Sequence, residues 1–201
     1  VHRGQEGALR KPCRGARGRL IDFKLLATCE VSKEEQAEVE LLDALLRRDK
    51  DAEVVRPGFP GVLLVRSSLR PEEAYALVRS MEMAYVKSVV PLLAVVPAEL
   101  ELIKKACLKI ARGVGLGPGI RFAVRCRRRG RAVGSSHELE VVVGRTLKVE
   151  TGAEVDLDKP DIIVRIEVVG DMAGISVEGV SFAHLPPPDG PWPGRSGYKK
   201  H

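Results

Sequence analysis

Between Gly119 and Lys148 the hydrophobic period of the chain changes from two residues to 3.6 across a loop dense in arginine, so a strand, a turn and a helix must follow one another there. Ile120, Phe122, Val124 and Cys126 fall on one face of the strand, and Arg121, Arg125 and Arg127 on the other. Gly130 and Gly134 bracket the turn. Ser135 stands three residues before Glu138, the spacing of a capping box that opens a helix. Leu139, Val142, Val143 and Leu147 then share one helical stripe. The unpaired N–H groups of that first helical turn attract anions, and Arg125, Arg127, Arg128, Arg129 and Arg131 lead directly into them. The arrangement points to phosphate.

Charge is segregated in the same sense. Residues 121–148 carry +6 and residues 1–19 carry +5, against +6 for the whole chain, which leaves −5 for everything else. A footprint of this kind suits a polyanion. No apolar run approaches the roughly 20 residues of a bilayer span, and the first twenty residues are basic without a hydrophobic segment, so neither membrane insertion nor secretion is expected and the location expected is cytoplasmic. The absence of Asn, with only Gln5 and Gln36 and 30% charged residues, is a thermophile-like profile.

Cys13, Cys29, Cys107 and Cys126 are irregularly spaced, with no Cys-x-x-Cys pair and no His at ligand spacing, which argues against a metal site and against a disulfide framework. Strand parity places Cys126 on the apolar face, away from the arginines that would activate it. Glu154, Asp156, Asp158 and Asp161 read as an Asp-rich turn. With no nucleophile beside a base, no paired carboxylates on a scaffold and no cofactor fingerprint, neither catalysis, a metal nor a cofactor is expected.

In chain order, residues 1–19 read as a flexible basic arm. A strand at 20–29 is followed by Ser32 three residues before Glu35, a second capping-box spacing, and by a helix with Val39, Leu42, Leu45 and Leu46 at core positions. Strands at 53–56 and 62–66 flank a Pro-Gly-Phe-Pro-Gly turn, Pro71 opens another helix, and 85–96 returns to strand character. That is β-α-β-β-α-β, a ferredoxin-like domain at 20–96. A second α/β unit spans 97–185: a helix at 98–112, a glycine-rich stop at 113–119, the central stretch, a buried strand at 162–169 and a partner strand at 174–180. Residues 186–201 form a Pro/Gly-rich basic tail with Trp192 and Tyr198. The fold class expected is α/β in the α+β sense.

Phe122-Ala123-Val124-Arg125 with its arginine loop, Ser135-Ser136 at a helix start, Val155-Asp156-Leu157 followed by Pro160-Asp161, and the apolar strand beyond them together resemble the THUMP-domain family of tRNA-binding proteins. The ferredoxin-like domain in front fits that family too, and the resemblance covers about residues 20–182. Most THUMP proteins also carry a methyltransferase, thiouridine synthetase, pseudouridine synthase or deaminase domain, for which this chain has no room. It is therefore most similar to the stand-alone THUMP adaptor that assists tRNA cytidine acetyltransferase in forming 4-acetylcytidine, a subgroup to which Asp22-Phe23 and Gly61 to Ser68 are also similar. The resemblance implies binding of the tRNA acceptor stem and 3′ CCA end.

With eight aromatic residues in all, serial base stacking is not expected, whereas arginine contacts to phosphate and 2′-hydroxyl groups need no aromatic platform. The candidate RNA-binding residues are Arg121, Arg125, Arg127, Arg128, Arg129, Arg131, Ser135, Ser136, His137, Arg145, Lys148 and Lys159. His137 either completes the helix cap or touches RNA. The alternatives are an interaction module for an acidic protein, the RNA-binding subunit of a different tRNA-modifying enzyme, and an enzyme without a familiar signature.

Overall fold

The computed structural model describes residues 23–179; the expected basic arm, the expected tail with its two aromatics, and Cys13 lie outside them. The first sheet is built from β1 (Phe23–Cys29), β2 (Glu53–Val55), β3 (Val62–Arg66) and β4 (Val86–Pro91), with α1 (Glu34–Leu45) and α2 (Pro71–Arg79) in the connections. Its strand order is β2-β3-β1-β4 and every neighbouring pair is antiparallel. The element order is the βαββαβ order read from the sequence.

The second sheet has the order β5-β9-β8-β6-β7. It contains β5 (Ala94–Pro97), β6 (Arg121–Arg129), β7 (Glu154–Val155), β8 (Ile162–Val169) and β9 (Met172–Glu178), with α3 (Leu100–Gly113) after β5 and α4 (Ser136–Thr151) between β6 and β7. The sheet is mixed: β6 runs parallel to β7 and β8, while β9 is antiparallel to β5 and β8.

Three apolar clusters hold these layers together. Leu25, Ala27, Leu63 and Val65 from the first sheet pack on Ala37, Leu41, Ala44 and Leu45 of α1 and on Ala74 and Val78 of α2. Phe122, Val124, Val164, Ile166 and Ile175 of the second sheet pack on Ile103, Cys107 and Ile110 of α3 and on Leu139, Val143 and Leu147 of α4. The third cluster lies between the sheets. Phe23, Leu26, Val62 and Leu64, on the helix-free side of the first sheet, meet Leu92, Val95, Val169 and Met172. Burying one such side chain is worth about 1.5–3 kcal/mol, so this seam of eight residues is a substantial bond between the sheets. Leu92 packs directly on Gly174, where a Cβ would lie 2.6 Å from Leu92 Cδ2 and would displace that side chain.

Four local expectations change. The helix α1 starts at Glu34 with Lys33 as an N-cap that makes no side-chain bond, and Ser32, expected to cap it, sits at φ 70. The Glu34 carboxylate is committed elsewhere and accepts from the Gly61 N–H at 2.7 Å. The core face of α1 is Ala37, Leu41, Ala44 and Leu45, whereas Val39 and Leu46 are exposed. The expected single strand at 85–96 is two strands, because after Pro91 the chain leaves the first sheet and Ala94–Pro97 pairs with β9. Finally, β9 begins at Met172, two residues before the expected start, since Gly170 at φ 60 closes a tight hairpin in which Val169 pairs with Met172.

Candidate nucleic-acid interface

β6 places its residues as strand alternation requires. Phe122 and Val124 are buried under α3 and α4 and Cys126 packs against the same core, so Arg121, Arg125, Arg127 and Arg129 emerge on the helix-free face. The parallel register sets Arg125 beside Arg165 and Arg127 beside Glu167 of β8 on that face. Burial pushes the Cys107 thiol up to about 12, and burial likewise raises Cys126, so neither is a reactive thiolate.

The twelve expected residues occupy two ends of the sheet. Arg127, Arg128, Arg129, Arg131, Ser135, Ser136 and His137 lie where β6 ends and α4 begins, while Arg121 and Lys159 lie where β6 and β8 start. The nine residues of β6 separate those ends by roughly 26 Å. Lys148, in the last turn of α4, lies toward the second end, with Arg145 and Arg125 between.

Several of these cations are already occupied. Arg121 donates to Asp161 at 3.0 and 3.2 Å and to Asp156 at 3.4 Å, and Asp161 is the main cause that raises its pKa. Asp156 also accepts the backbone N–H groups of Lys159 and Asp158, which hold its carboxyl below the usual range, so the acidic turn is an ordered loop tied to β6 by Arg121. Arg125 reaches the Leu157 carbonyl at 2.7 Å and pins the same loop. Arg129 donates to Glu167 at 2.7 Å; Glu167 is only 1% exposed and also has Arg165 at 3.6 Å.

Arg128 has a positioning role. Its guanidinium donates to the carbonyls of Val133 and Gly134, both at 2.6 Å, and so draws the loop toward the start of α4. Ser135 caps that helix as its spacing indicates, accepting from the Glu138 N–H at 3.4 Å. Ser136 and His137 are the first two residues of α4, and His137 is exposed. Among the described residues no hydrogen bond or ion pair engages the side chains of Arg127, Arg131, Arg145, Lys148 or Lys159, all of which are exposed. Among the described residues, Arg127 and Arg131 are thus the two free arginines at the β6–α4 end.

Sequence reasoning overlooked Arg165 and Glu167. Their signal was present, since they interrupt the apolar run of β8 at a spacing of two residues and so mark its helix-free face. It also overlooked Phe59, whose ring reaches the end of β6 from the first sheet, its Cζ lying 3.4 Å from where a Cβ on Gly130 would stand.

Among curated proteins, a stretch of 52 residues is 46% identical to the tRNA sulfurtransferase of Pseudomonas syringae pv. tomato, covering 25% of this chain and 11% of that protein. Among solved structures, PH1313 from Pyrococcus horikoshii Ot3 superposes with a TM-score of 0.64 at 25% identity, over 78% of this chain and 54% of that one. TrmN from Thermus thermophilus does so with a TM-score of 0.55 at 28% identity, over 76% and 44%. The chain thus spans about half the length of those two structures and about a tenth of the sulfurtransferase. The match to the family model of the THUMP domain runs from Pro97, the last residue of β5, to Glu178, the last of β9, so that a THUMP domain is present and the described interface lies wholly within it.

Proposed function

We propose that this chain is a noncatalytic tRNA-binding adaptor that recognises the acceptor stem and 3′ CCA end and assists tRNA modification by a partner enzyme. The observation that carries the reading is the pair of exposed arginines, Arg127 and Arg131, without partners among the described residues, at the strand end that leads into the capped N-terminus of α4. Backbone-directed cations of this kind read the shape and charge of an A-form stem without base stacking. Arg128, Ser135, Ser136 and His137 border the same point, and Arg145, Lys148 and Lys159 extend the contact along the outer edge. Arg121 and Arg125 act indirectly, by holding the β7–β8 loop that carries Lys159, and Arg129 does so by tying the end of β6 to Glu167 of β8.

The modification proposed is 4-acetylcytidine, formed by a cytidine acetyltransferase that this chain would bring to its substrate. A second reading is favoured by the tRNA sulfurtransferase match: the chain is the RNA-binding part of a different tRNA-modifying enzyme, as its short coverage of that relative allows. Under either reading the tRNA contacts are the same and the catalytic partner differs.

The test is binding of full-length tRNA, and of the same tRNA lacking CCA, across a salt titration. The Arg127→Glu/Arg131→Glu variant should lower the slope of log affinity against log salt by about 1.4–1.8, the contribution of two phosphate contacts. Removal of CCA should weaken wild-type binding. Equal slopes for variant and wild type, or indifference to CCA, would reject this site. Loss of 4-acetylcytidine from cellular tRNA when the gene is deleted separates the two readings, because a different enzyme's subunit would leave that nucleoside intact.

A further inference from the structure

Phe59 sits in the Pro57-Gly58-Phe59-Pro60-Gly61 turn between β2 and β3, in the first sheet, yet its ring lies against the end of the arginine strand in the second. A Cβ at Gly130 would lie 3.4 Å from Phe59 Cζ and 3.3 Å from Gly170 Cα, and a Cβ at Gly170 would lie 3.7 Å from Phe59 Cε2. Both glycines have positive φ, 112 and 60, so the strand ends pass the ring in conformations that other residues resist. The Gly170 N–H donates to the Arg129 carbonyl at 2.8 Å and joins the two ends beneath the ring.

The turn that carries Phe59 is itself fixed. Gly61 donates its N–H to the Glu34 carboxylate at 2.7 Å, and its carbonyl accepts from the Cys29 N–H at 3.0 Å. A Cβ at Gly61 would lie 2.6 Å from the Cys29 carbonyl oxygen, so the turn is pressed against the end of β1 with no room to shift. The ring therefore transmits the position of the first sheet to the residue that immediately precedes Arg131 and lies three after Arg127.

We propose that Phe59 is a positioning residue for RNA binding: it clamps the β6 exit at Gly130 and Gly170, so that Arg127 and Arg131 are held in their binding geometry before RNA arrives. This rests on the tRNA-binding reading given above. The free-energy benefit is preorganisation, because without the clamp the loop must be ordered during binding. It also gives the first sheet a part in recognition without any contact between Phe59 and RNA.

The experiment compares the wild-type chain with Phe59→Ala and Phe59→Leu by amide hydrogen exchange without RNA and by tRNA affinity, at a temperature where circular dichroism shows each variant folded. Phe59→Ala should accelerate exchange of the Gly170 amide and weaken tRNA binding about three- to tenfold, and Phe59→Leu should recover most of both. If Phe59→Ala does not fold, Phe59→Val, too short to reach Gly130, takes its place in the same comparison and is read by the same outcomes. Wild-type affinity in folded Phe59→Ala overturns the proposal, whether or not exchange is faster. A wild-type chain that shows no salt-sensitive tRNA binding removes the underlying reading, and the positioning role with it; the exchange rates then still report whether the ring orders the strand ends.

Discussion

Arg127 and Arg129 are two residues apart on one face of one strand, yet their surroundings assign them opposite roles, and a pair of substitutions separates these. Arg129→Met removes the 2.7 Å hydrogen bond to Glu167, a carboxylate only 1% exposed, and leaves it with Arg165 at 3.6 Å. Stripping one partner from a buried ion pair costs about 3–5 kcal/mol when nothing replaces it. Here Arg165 remains, although its other two nitrogens are engaged by Glu178, so about 2–3 kcal/mol is expected. For a chain of this size that corresponds to a fall in melting temperature of roughly 4–12 °C. Arg127→Met should leave the melting temperature nearly unchanged, because that side chain is exposed and has no partner among the described residues. Thermal melts by circular dichroism read both variants, and Glu167→Met with the Arg129→Met/Glu167→Met double variant completes a cycle. With both charges gone, much of the lost stability should return, since two apolar side chains of similar volume replace the buried pair. In the tRNA titration the order reverses: Arg127→Met should lower the salt slope and Arg129→Met should not. Equal melting shifts for the two single variants, or strict additivity in the double, would refute the assignment.

Gly144 lies inside α4, and a Cβ there would meet Val124 Cγ2 at 3.8 Å, an ordinary contact, so Gly144→Ala should stabilise the chain by about 0.5–1 kcal/mol and raise its melting temperature; a lowered one would show that the helix cannot accept the methyl group. Burial pushes the Asp49 carboxyl up, but hydrogen bonds from the Ser67 and Ser68 hydroxyls and from the Ser68 and Asp51 N–H groups outweigh it and hold its pKa below 3.8. The stability it contributes is therefore present above its unfolded pKa and is lost as pH falls through the folded one, so Asp49→Asn should flatten the acid limb of melting temperature against pH below about pH 4, and parallel curves would contradict this.

The period of the apolar residues was enough to place most elements, because strands and helices impose different spacings on any chain that must bury one face. It failed where spacing leaves the phase open. In α1 the alanines at 37 and 44 mark the core face, and reading the larger Val39 and Leu46 as the apolar stripe rotated the helix away from it. In 85–96 both halves are apolar, and only tertiary pairing tells that the chain changes sheets after Pro91. The Ser135 cap was legible because its partner is three residues away. The Ser32 spacing was identical, but there Lys33 takes the N-cap position and Ser32 sits at φ 70, a backbone conformation that spacing alone does not reveal.

The same distinction governs the interface. Counting charge marks a basic stretch but overstates how many of its cations stand free, because a cation's partners are not neighbours in sequence. Arg121 is answered by Asp161 across 40 residues, Arg125 by the Leu157 carbonyl across 32 and Arg129 by Glu167 across 38. Each of these bonds joins β6 to β8 or to the loop that leads into β8, so the arginines that look most like ligands in the sequence fix the sheet and the β7–β8 loop instead. What they leave over at the β6–α4 end among the described residues, Arg127 and Arg131, is a smaller positive site than the sequence advertises, but one with its backbone met at Gly130 by Phe59, held at Val133 and Gly134 by Arg128 and at Ser135 by the helix cap. A flexible run of basic residues can match the affinity of such a site only by adding charge, at the cost of steeper salt dependence and weaker discrimination among polyanions. Fewer cations on a fixed backbone favour one spacing of phosphates over others, so a site of this kind trades affinity for selectivity among polyanions.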